Sequence, residues 1–396
     1  MSCLKPVEIR CPLPLGWCHP VARLLYGVDF VEGLRSLGSE TVHMICTSPP
    51  YWGQRDYGVE GQIGREIKVE SYIEALVRGF REAHRVLRTD GTLWLNLGDK
   101  LDDRDYQLLP HRVALALKQE GWCLRSEIIW AKGRPQPSAA NNRPNCMHEP
   151  VFLFTKRPSA YYYDINGERE RPPKTAAVGG TTPHRVHNSG GPGLHQGAPC
   201  GRRLLSVWHF NLFPYEGAHL ATWPPLLVQR MIRLGTSDRG CCPHCGTQWQ
   251  RQVESLTKLE PHGQNALRGP GHELGDAHKA GRAGRDFKTT IAQNTVGWAP
   301  GCSCPEHASV PSTVLDPFSG SGTSGQMALA NGRDYIGIDI NPEYLGLAKH
   351  RICGEPLVPL AGDSGNPLAG LMGLEEPPDA ETGEDVGDFQ DLFEEE

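Results

Sequence analysis

The sequence predicts an α/β fold with a mostly parallel central sheet, and three observations lead there. Short apolar runs bounded by Gly, Pro and Asp alternate with longer segments whose apolar residues recur at helical spacing. Near residue 320 a strand, a glycine turn, a helix and a second strand follow one another without a break. The chain has 396 residues, enough for one large α/β domain with insertions.

Taken in order, Leu25-Tyr26-Gly27-Val28-Asp29 reads as a strand ending in a carboxylate. Val42–Cys46 is the next strand, and Thr47-Ser48-Pro49-Pro50-Tyr51-Trp52 leaves it. Two prolines forbid both helix and ladder, so this stretch is a stiff loop. Ligands of open α/β sheets bind outside the strands' C-terminal ends, so the loop falls where a site is expected. A Gly-rich stretch follows from Gly53 to Gly64. Val69, Ile73, Leu76, Val77, Phe80, Val86 and Leu87 mark a helix over 69–88, closed by Thr89-Asp90-Gly91. Thr92–Leu97 is a strand, Leu108–Glu120 a helix, and Ser126–Trp130 and Phe152–Phe154 two more strands. Such alternation implies a sheet covered on both faces. From Asn166 to Leu204 the pattern dissolves into Gly, Pro and Arg, the composition of a loop. Helical periodicity returns within Val207–Leu234, a Cys-rich segment covers 238–308 around a loop at about 256–294, and Val310–Cys353 reads strand, Gly loop, helix, strand, helix.

The last of these carries the chemistry. Val314-Leu315-Asp316-Pro317-Phe318-Ser319-Gly320-Ser321-Gly322-Thr323-Ser324 is strand, turn and helix start, with Gly332 as a C-cap. Tyr335–Ile340 is a strand with Asp339 near its end. Glycines at the loop and a carboxylate for ribose hydroxyls are how a nucleoside is gripped, and Gly322 to Asp339 spans 17 residues, against about 20 in the dinucleotide case. A third glycine is missing, which points to a nucleoside smaller than a dinucleotide. The bland alternative is an ordinary βα turn with a chance acid.

The pair TSPPYW and DPFSGSGTS resembles the amino-directed (cytosine-N4 and adenine-N6) DNA methyltransferases that use S-adenosylmethionine, over most of residues 21–353. The resemblance implies a Rossmann-like methyltransferase fold. Here the catalytic motif precedes the cofactor motif, which resembles the circularly permuted, β-type order. Carried over, Ser48, Pro49, Pro50 and Tyr51 are the catalytic residues. Ser48 Oγ and the Pro49 carbonyl accept hydrogen bonds from an exocyclic amine of a base flipped out of the duplex, and Tyr51 offers it a face. Asp316, Phe318, Ser319, Gly320, Ser321, Gly322 and Thr323 line the methionine part of the cofactor, Asp339 takes the ribose, and Asp29 resembles the adenine-contacting acid. A helix N-cap is an equal reading of Asp29. Ser at position 48 resembles the cytosine-N4 members more than the adenine-N6 ones. Gly217–Pro225 resembles the family's H-x-x-x-x-P segment, with Trp223 where many members have Lys. His148-Glu149, after Trp130-Ala-Lys132, resembles its H-E segment near the target pocket. Structural packing is the alternative for both segments, and neither is assigned to catalysis.

Cys242-Pro-His-Cys245 and Cys302-Ser-Cys304 form two close pairs that suit a structural Zn²⁺ ion held by four thiolates. Cys241 and Cys200 are spares, His244 or His307 are substitutes, and reduced unmetallated thiols are the alternative. The expected organisation is therefore a catalytic half (1–164), a Gly/Pro/Arg-rich target-recognition region (165–206), a cofactor-packing helix segment (207–237), a zinc-binding insertion with a basic loop (238–308), a cofactor-binding half (309–356) and an acidic disordered tail (357–396).

Charge agrees with double-stranded DNA as partner once it is divided. The net charge of −6 includes eleven acidic and no basic residues over 374–396, leaving 40 basic against 35 acidic elsewhere. No signal peptide and no run of apolar length suited to a membrane is visible, so the expectation is a cytoplasmic protein of a prokaryotic or viral host cell, with no membrane partner. A cognate restriction endonuclease is a candidate partner, and the oligomeric state stays open. Two rivals remain at this stage. Methylation of RNA or of a protein amide is one, against which Ser48 in place of Asn speaks. The other is an inactive zinc-containing nucleic-acid-binding module, against which both intact motifs speak.

Overall fold

A strand covered on both faces is mostly apolar, and Val42–Thr47 is buried at all 6 positions, with its two polar members His43 and Thr47 hydrogen-bonded. The structure, a computed structural model, describes residues 6–10, 20–133, 142–168, 203–211, 223–260 and 287–353. Most of the expected recognition region, the His219 segment, the tip of the basic loop and the acidic tail lie outside them.

In chain order the elements are β1 (Val7–Arg10), β2 (Val21–Tyr26), α1 (Phe30–Arg35), β3 (Val42–Thr47), α2 (Val69–Val86), β4 (Leu87–Asn96), β5 (Leu101–Asp102), β6 (Asp105–Tyr106), α3 (Leu109–Gln119), β7 (Cys123–Ala131) and β8 (His148–Thr155). There follow β9 (Val207–His209), α4 (Pro225–Gly235), β10 (Gln250–Glu260), β11 (Phe287–Ala299), β12 (Thr313–Asp316), α5 (Thr323–Ala330), β13 (Asp334–Asp339) and α6 (Tyr344–Cys353). Among the described residues one sheet runs β1-β2-β13-β12-β3-β4-β8-β7-β9. Its centre, β2 through β4, is parallel throughout. β8 is antiparallel to both β4 and β7, and β1 is antiparallel to β2. The strand that carries the proline loop thus lies beside the strand that carries the glycine loop, although the glycine loop comes last in the chain.

Alternation along the strands feeds two apolar layers. Ile45, Leu93, Leu95, Phe152, Leu315 and Ile338 face α1, α2 and α3. Met44, Trp94, Leu153, Val314 and Tyr335 face the other way, with Leu227, Met231, Ala328 and Ala348 of α4, α5 and α6.

The structure corrects four element boundaries. The strand expected at 25–29 ends at Tyr26, and Gly27 turns the chain at φ +77°. The helix over 69–88 stops at Val86, and Leu87–Gly91 already belong to β4, whose pairing with β3 slips between Val42 and Met44. Val207–His209 is a short strand beside β7, and the helix begins only at Pro225, because Pro224 and Pro225 lack the N–H groups a longer helix would need. The basic loop is shorter than expected, since β10 and β11 pair antiparallel from Gln250↔Ala299 out to Glu260↔Phe287. Among the described residues no helix is long and apolar enough to cross a membrane.

One helix contact bears on the site. A Cβ at Gly79 of α2 would lie 1.6 Å from the ring of Phe30. Phe30 in turn meets Phe318 of the glycine loop at 4.7 Å between ring centroids. Alanine at 79 gains about 1 kcal/mol of helix propensity, but overpacking costs about 1–3 kcal/mol, and a contact this close puts it at the upper end. We therefore expect Gly79→Ala to lower the urea midpoint of unfolding; an unchanged or higher midpoint would refute this account of the α1–α2 contact.

Candidate active site

Both loops leave the same edge of the sheet, and one buried carboxylate joins them. Asp316, the last residue of β12, is 2% exposed. Thr47 Oγ1 donates to its Oδ1 at 2.7 Å, Ser324 Oγ donates to its Oδ2 at 2.6 Å, and the Phe318 N–H donates to Oδ1 at 3.1 Å. Burial pushes its carboxyl up to about 6, while the three donors favour the ionised form and oppose that rise.

The glycine loop is folded over β13. Ser319 Oγ lies 2.8 Å from both the Tyr26 and Tyr335 hydroxyls, and a Cβ at Gly337 would come 2.7 Å from that oxygen. Asp339 ends β13 and accepts from the Gly320 N–H at 2.7 Å and the Asn341 N–H at 2.9 Å. Burial raises its carboxyl to about 6. Gly322 (φ +84°) starts α5 in a left-handed conformation, and a Cβ there would meet Ala348 of α6 at 3.1 Å.

The proline loop is tied down at several atoms. The Tyr72 hydroxyl donates to the Pro50 carbonyl at 2.9 Å, and Trp52 Nε1 donates to the Glu66 carbonyl at 2.7 Å. The Tyr51 ring packs where a Cβ at Gly98 would be 2.4 Å away. Its hydroxyl lies 2.9 Å from Glu149 Oε2 and 3.0 Å from Asn96 Oδ1. Ser48 Oγ is 3.2 Å from the same Asn96 oxygen. Burial, and then the charge of Glu149, hold the Tyr51 phenol well above its ordinary range, so it is a neutral donor.

These groups line one cavity of about 1130 Å³. Ser48, Pro49, Pro50 and Tyr51 line it, and so do Asp316, Phe318, Ser319, Gly320, Ser321, Thr323 and Asp339. Of the two motifs' expected residues, Gly322 alone is outside the lining, and its observed contacts are with α6. Of the two readings of Asp29 the helix cap is observed, its Oδ1 accepting from the Val31 and Glu32 N–H groups, and the residue also lines the cavity. His148, Glu149 and Trp223 also line it. Asn96 was not singled out in the sequence. Its signal was there, as one amide in the otherwise apolar run Leu93–Leu97, at the C-terminal end of a buried strand.

Away from the cavity, the sulfur atoms of Cys242, Cys245, Cys302 and Cys304 all lie within 4.8 Å of one another. A tetrahedral Zn–S₄ site has sulfurs about 3.8 Å apart for bonds of about 2.3 Å, so the donor set fits that ion with little movement. Cys241 stands apart, with its thiol donating to the Pro311 carbonyl.

The Thr47–Asp316 contact yields a pH-dependent expectation. Thr47→Val removes a donor from a buried carboxylate and should cost about 1–3 kcal/mol. Losing that donor raises the folded-state pKa of Asp316 further above its unfolded value. The deficit against the wild type is then full above the variant's raised Asp316 pKa, where both proteins carry the ionised carboxylate, shrinks as pH falls from there towards about 6, and is smallest below that, where both are protonated. Paired urea titrations at several pH values measure this; a deficit that grows on acidification contradicts it.

The sequence matches a family model described as DNA methylase (N6_N4_Mtase) at residues 42–246 and 306–350. It is similar to Type II methyltransferase M.XycI of Xanthomonas campestris pv. cyanopsidis, 32% identical over 371 residues, 85% of this chain and 91% of that one. It is similar also to Type II methyltransferase M.Cfr9I of Citrobacter freundii, 31% identical over 360 residues, 84% and 88% of the two chains. Among solved structures, the PvuII DNA methyltransferase (cytosine-N4-specific) shares the fold at a TM-score of 0.50 and 16% identity, over 83% of this chain and 86% of that one. Because the family match takes in both loops of the cavity and the relatives align over most of either chain, this protein belongs to the N6/N4 family of DNA methylases.

Proposed function

We propose that the chain is a site-specific Type II DNA methyltransferase that transfers a methyl group from S-adenosylmethionine to an exocyclic amine, cytosine N4 before adenine N6. The observation that carries this reading is that Ser48–Tyr51 and the glycine loop, leaving the neighbouring strands β3 and β12, line one cavity. Its volume of about 1130 Å³ exceeds the roughly 300–1000 Å³ of an ordinary single-ligand pocket, so a nucleoside cofactor and a flipped base have room together.

The residues present fit S-adenosylmethionine. Asp339 sits where ribose hydroxyls would find an acceptor, Asp29 and Phe30 flank the adenine end, and Phe318 to Thr323 border the methionine end. Trp223 offers a ring and no cation there. When bound, the cofactor supplies an electrophilic sulfonium methyl group. The chain's own residues act on the amine. Its lone pair is delocalised into the base, and hydrogen bonds accepted by Ser48 Oγ and the Pro49 carbonyl favour a pyramidal nitrogen with that pair localised. Pro49 and Pro50 hold these acceptors rigid, so little reorganisation accompanies reaction. Ser48 supports cytosine, by its likeness to the cytosine-N4 members. The names of the curated relatives support a site-specific enzyme and leave room for a partner endonuclease. The four-cysteine cluster would hold a structural Zn²⁺ ion, closing the inserted module at its root.

Three measurements test these statements. Duplex DNA incubated with labelled S-adenosylmethionine and digested to nucleosides should yield N4-methylcytosine. N6-methyladenine would shift the base assignment alone, and a ring-methylated product or none would overturn the proposal. Replacing Ser48-Pro49-Pro50-Tyr51 by alanines should abolish transfer with cofactor binding retained in calorimetry; loss of that binding too would overturn the division of labour. Elemental analysis should find about one zinc per chain, lost in Cys242→Ser/Cys304→Ser, whereas equal metal content in both proteins would remove the site.

A further inference from the structure

A serine hydroxyl, unlike a carboxylate, can present either polarity to a substrate. If the Ser48 proton pointed into the cavity it would donate to the amine's lone pair and quench the nucleophile. Its direction is therefore a requirement of the reaction, and the surroundings of Ser48 determine it. Asn96, 1% exposed, donates through Nδ2 to the Pro150 carbonyl at 3.1 Å and to Glu149 Oε2 at 3.2 Å. The flipped amide would set its oxygen against those two acceptors, so Oδ1 must face Ser48 and Tyr51. Tyr51 has one proton and three acceptors in reach, Glu149 Oε2 at 2.9 Å, Asn96 Oδ1 at 3.0 Å and, farthest, Ser48 Oγ at 3.4 Å. The carboxylate is the stronger acceptor. With the Tyr51 proton on Glu149, the Ser48 proton has the Asn96 oxygen at 3.2 Å and the Tyr51 oxygen at 3.4 Å, and the nearer amide oxygen is the stronger acceptor. Glu149 is itself fixed, because its Oε1 pairs with Lys132 Nζ. The lysine is 9% exposed and lies 4.9 Å over the Trp130 ring.

We propose that Glu149, anchored by Lys132, is a positioning residue for methyl transfer: through Tyr51 and Asn96 it commits the Ser48 proton to Asn96 and leaves the serine's lone pairs for the exocyclic amine. This rests on the reading of Ser48 given above. The pair also accounts for a buried charge at the cavity wall, since a neutral side chain at 149 could turn a donor toward Asn96 and reverse the whole chain of hydrogen bonds.

The test compares Glu149→Gln, Lys132→Met/Glu149→Gln, Ser48→Ala and Ser48→Ala/Glu149→Gln by steady-state kinetics on duplex DNA, S-adenosylmethionine calorimetry and thermal melting. In Glu149→Gln the lysine draws the new carbonyl and leaves the amide facing Tyr51 and Asn96. We expect kcat to fall about 100-fold, as for a reacting group set wrongly, with KM for DNA and the cofactor Kd within about twofold. In Lys132→Met/Glu149→Gln the carbonyl is free to face Tyr51 and Asn96, and about tenfold of the lost kcat should return. Ser48→Ala/Glu149→Gln should be no slower than Ser48→Ala, because both changes remove one function. Additive losses, a defect confined to KM, or a wild-type kcat in Glu149→Gln would overturn the proposal. Should Glu149→Gln melt early, the paired variant, which leaves no charge at 132 or 149, decides by its own kcat. A slow Ser48→Ala beside a fast Glu149→Gln sinks the positioning role only; a wild-type rate in Ser48→Ala sinks the reading of Ser48 and this inference with it.

Discussion

The contact on which the site depends is the buried carboxylate of Asp316. Its two oxygens are shared between Thr47, at the end of the strand that feeds the proline loop, and Ser324, in the first turn of the helix after the glycine loop. Partners 269 positions apart in the chain are thereby held to within one hydrogen bond. Burying a carboxylate is costly unless its acceptor capacity is met, and here three donors meet it. The cost is tolerable because the arrangement does two things at once. It sets the proline loop against the glycine loop, and it leaves both free to face the cavity.

From that junction outward, the site is made of groups that fix one another. Gly337 lets Ser319 fold onto β13, and Asp339 then accepts from the backbone of Gly320. Gly98 lets the Tyr51 ring sit flat against β4's exit, and the phenol reaches Glu149. Neither loop owes its shape to its own sequence alone. Each is moulded by a neighbouring glycine, Gly337 within β13 and Gly98 just past the end of β4, so the rigidity needed for chemistry is supplied by packing and not by the prolines only.

Much of this was legible in the sequence. The two motif strands, the glycine turn and the acid at Asp339 follow from local chemistry: apolar runs, positive-φ glycines, prolines that exclude regular structure. What was not legible is what depends on partners distant in sequence. Asp316 lines the cavity as expected of a cofactor contact and is in addition a joint to Thr47, which nothing nearby in the chain announces. Asn96 and Glu149 meet only because β8 runs antiparallel beside β4, an arrangement that a pattern of alternating strands and helices does not reveal. The hairpin of β10 and β11 was read as loop because its polar, Gly-poor edges carry no alternation; cross-strand pairing creates it. Asp29 stayed ambiguous for a different reason. Its two readings were never exclusive, as one oxygen caps a helix while the residue borders the cavity.

The order of strands has a consequence for how this molecule is made. β12 lies in the middle of the sheet between β3 and β13, yet in chain order it follows every other strand of that sheet except β13. Until residue 313 emerges, β3 has no partner on that side, and a long apolar strand edge stands open. His43 is placed to receive the latecomer: buried and neutral, its pKa lowered to about 4, it accepts from the Thr313 N–H at 3.0 Å and donates to the Gly246 carbonyl at 2.8 Å. The cysteine module thus meets the root of β3 just before the chain delivers β12. With this motif order the centre of the sheet closes only when β12 enters between β3 and β13, and the His43 contacts tie the cysteine module to the place where it does so.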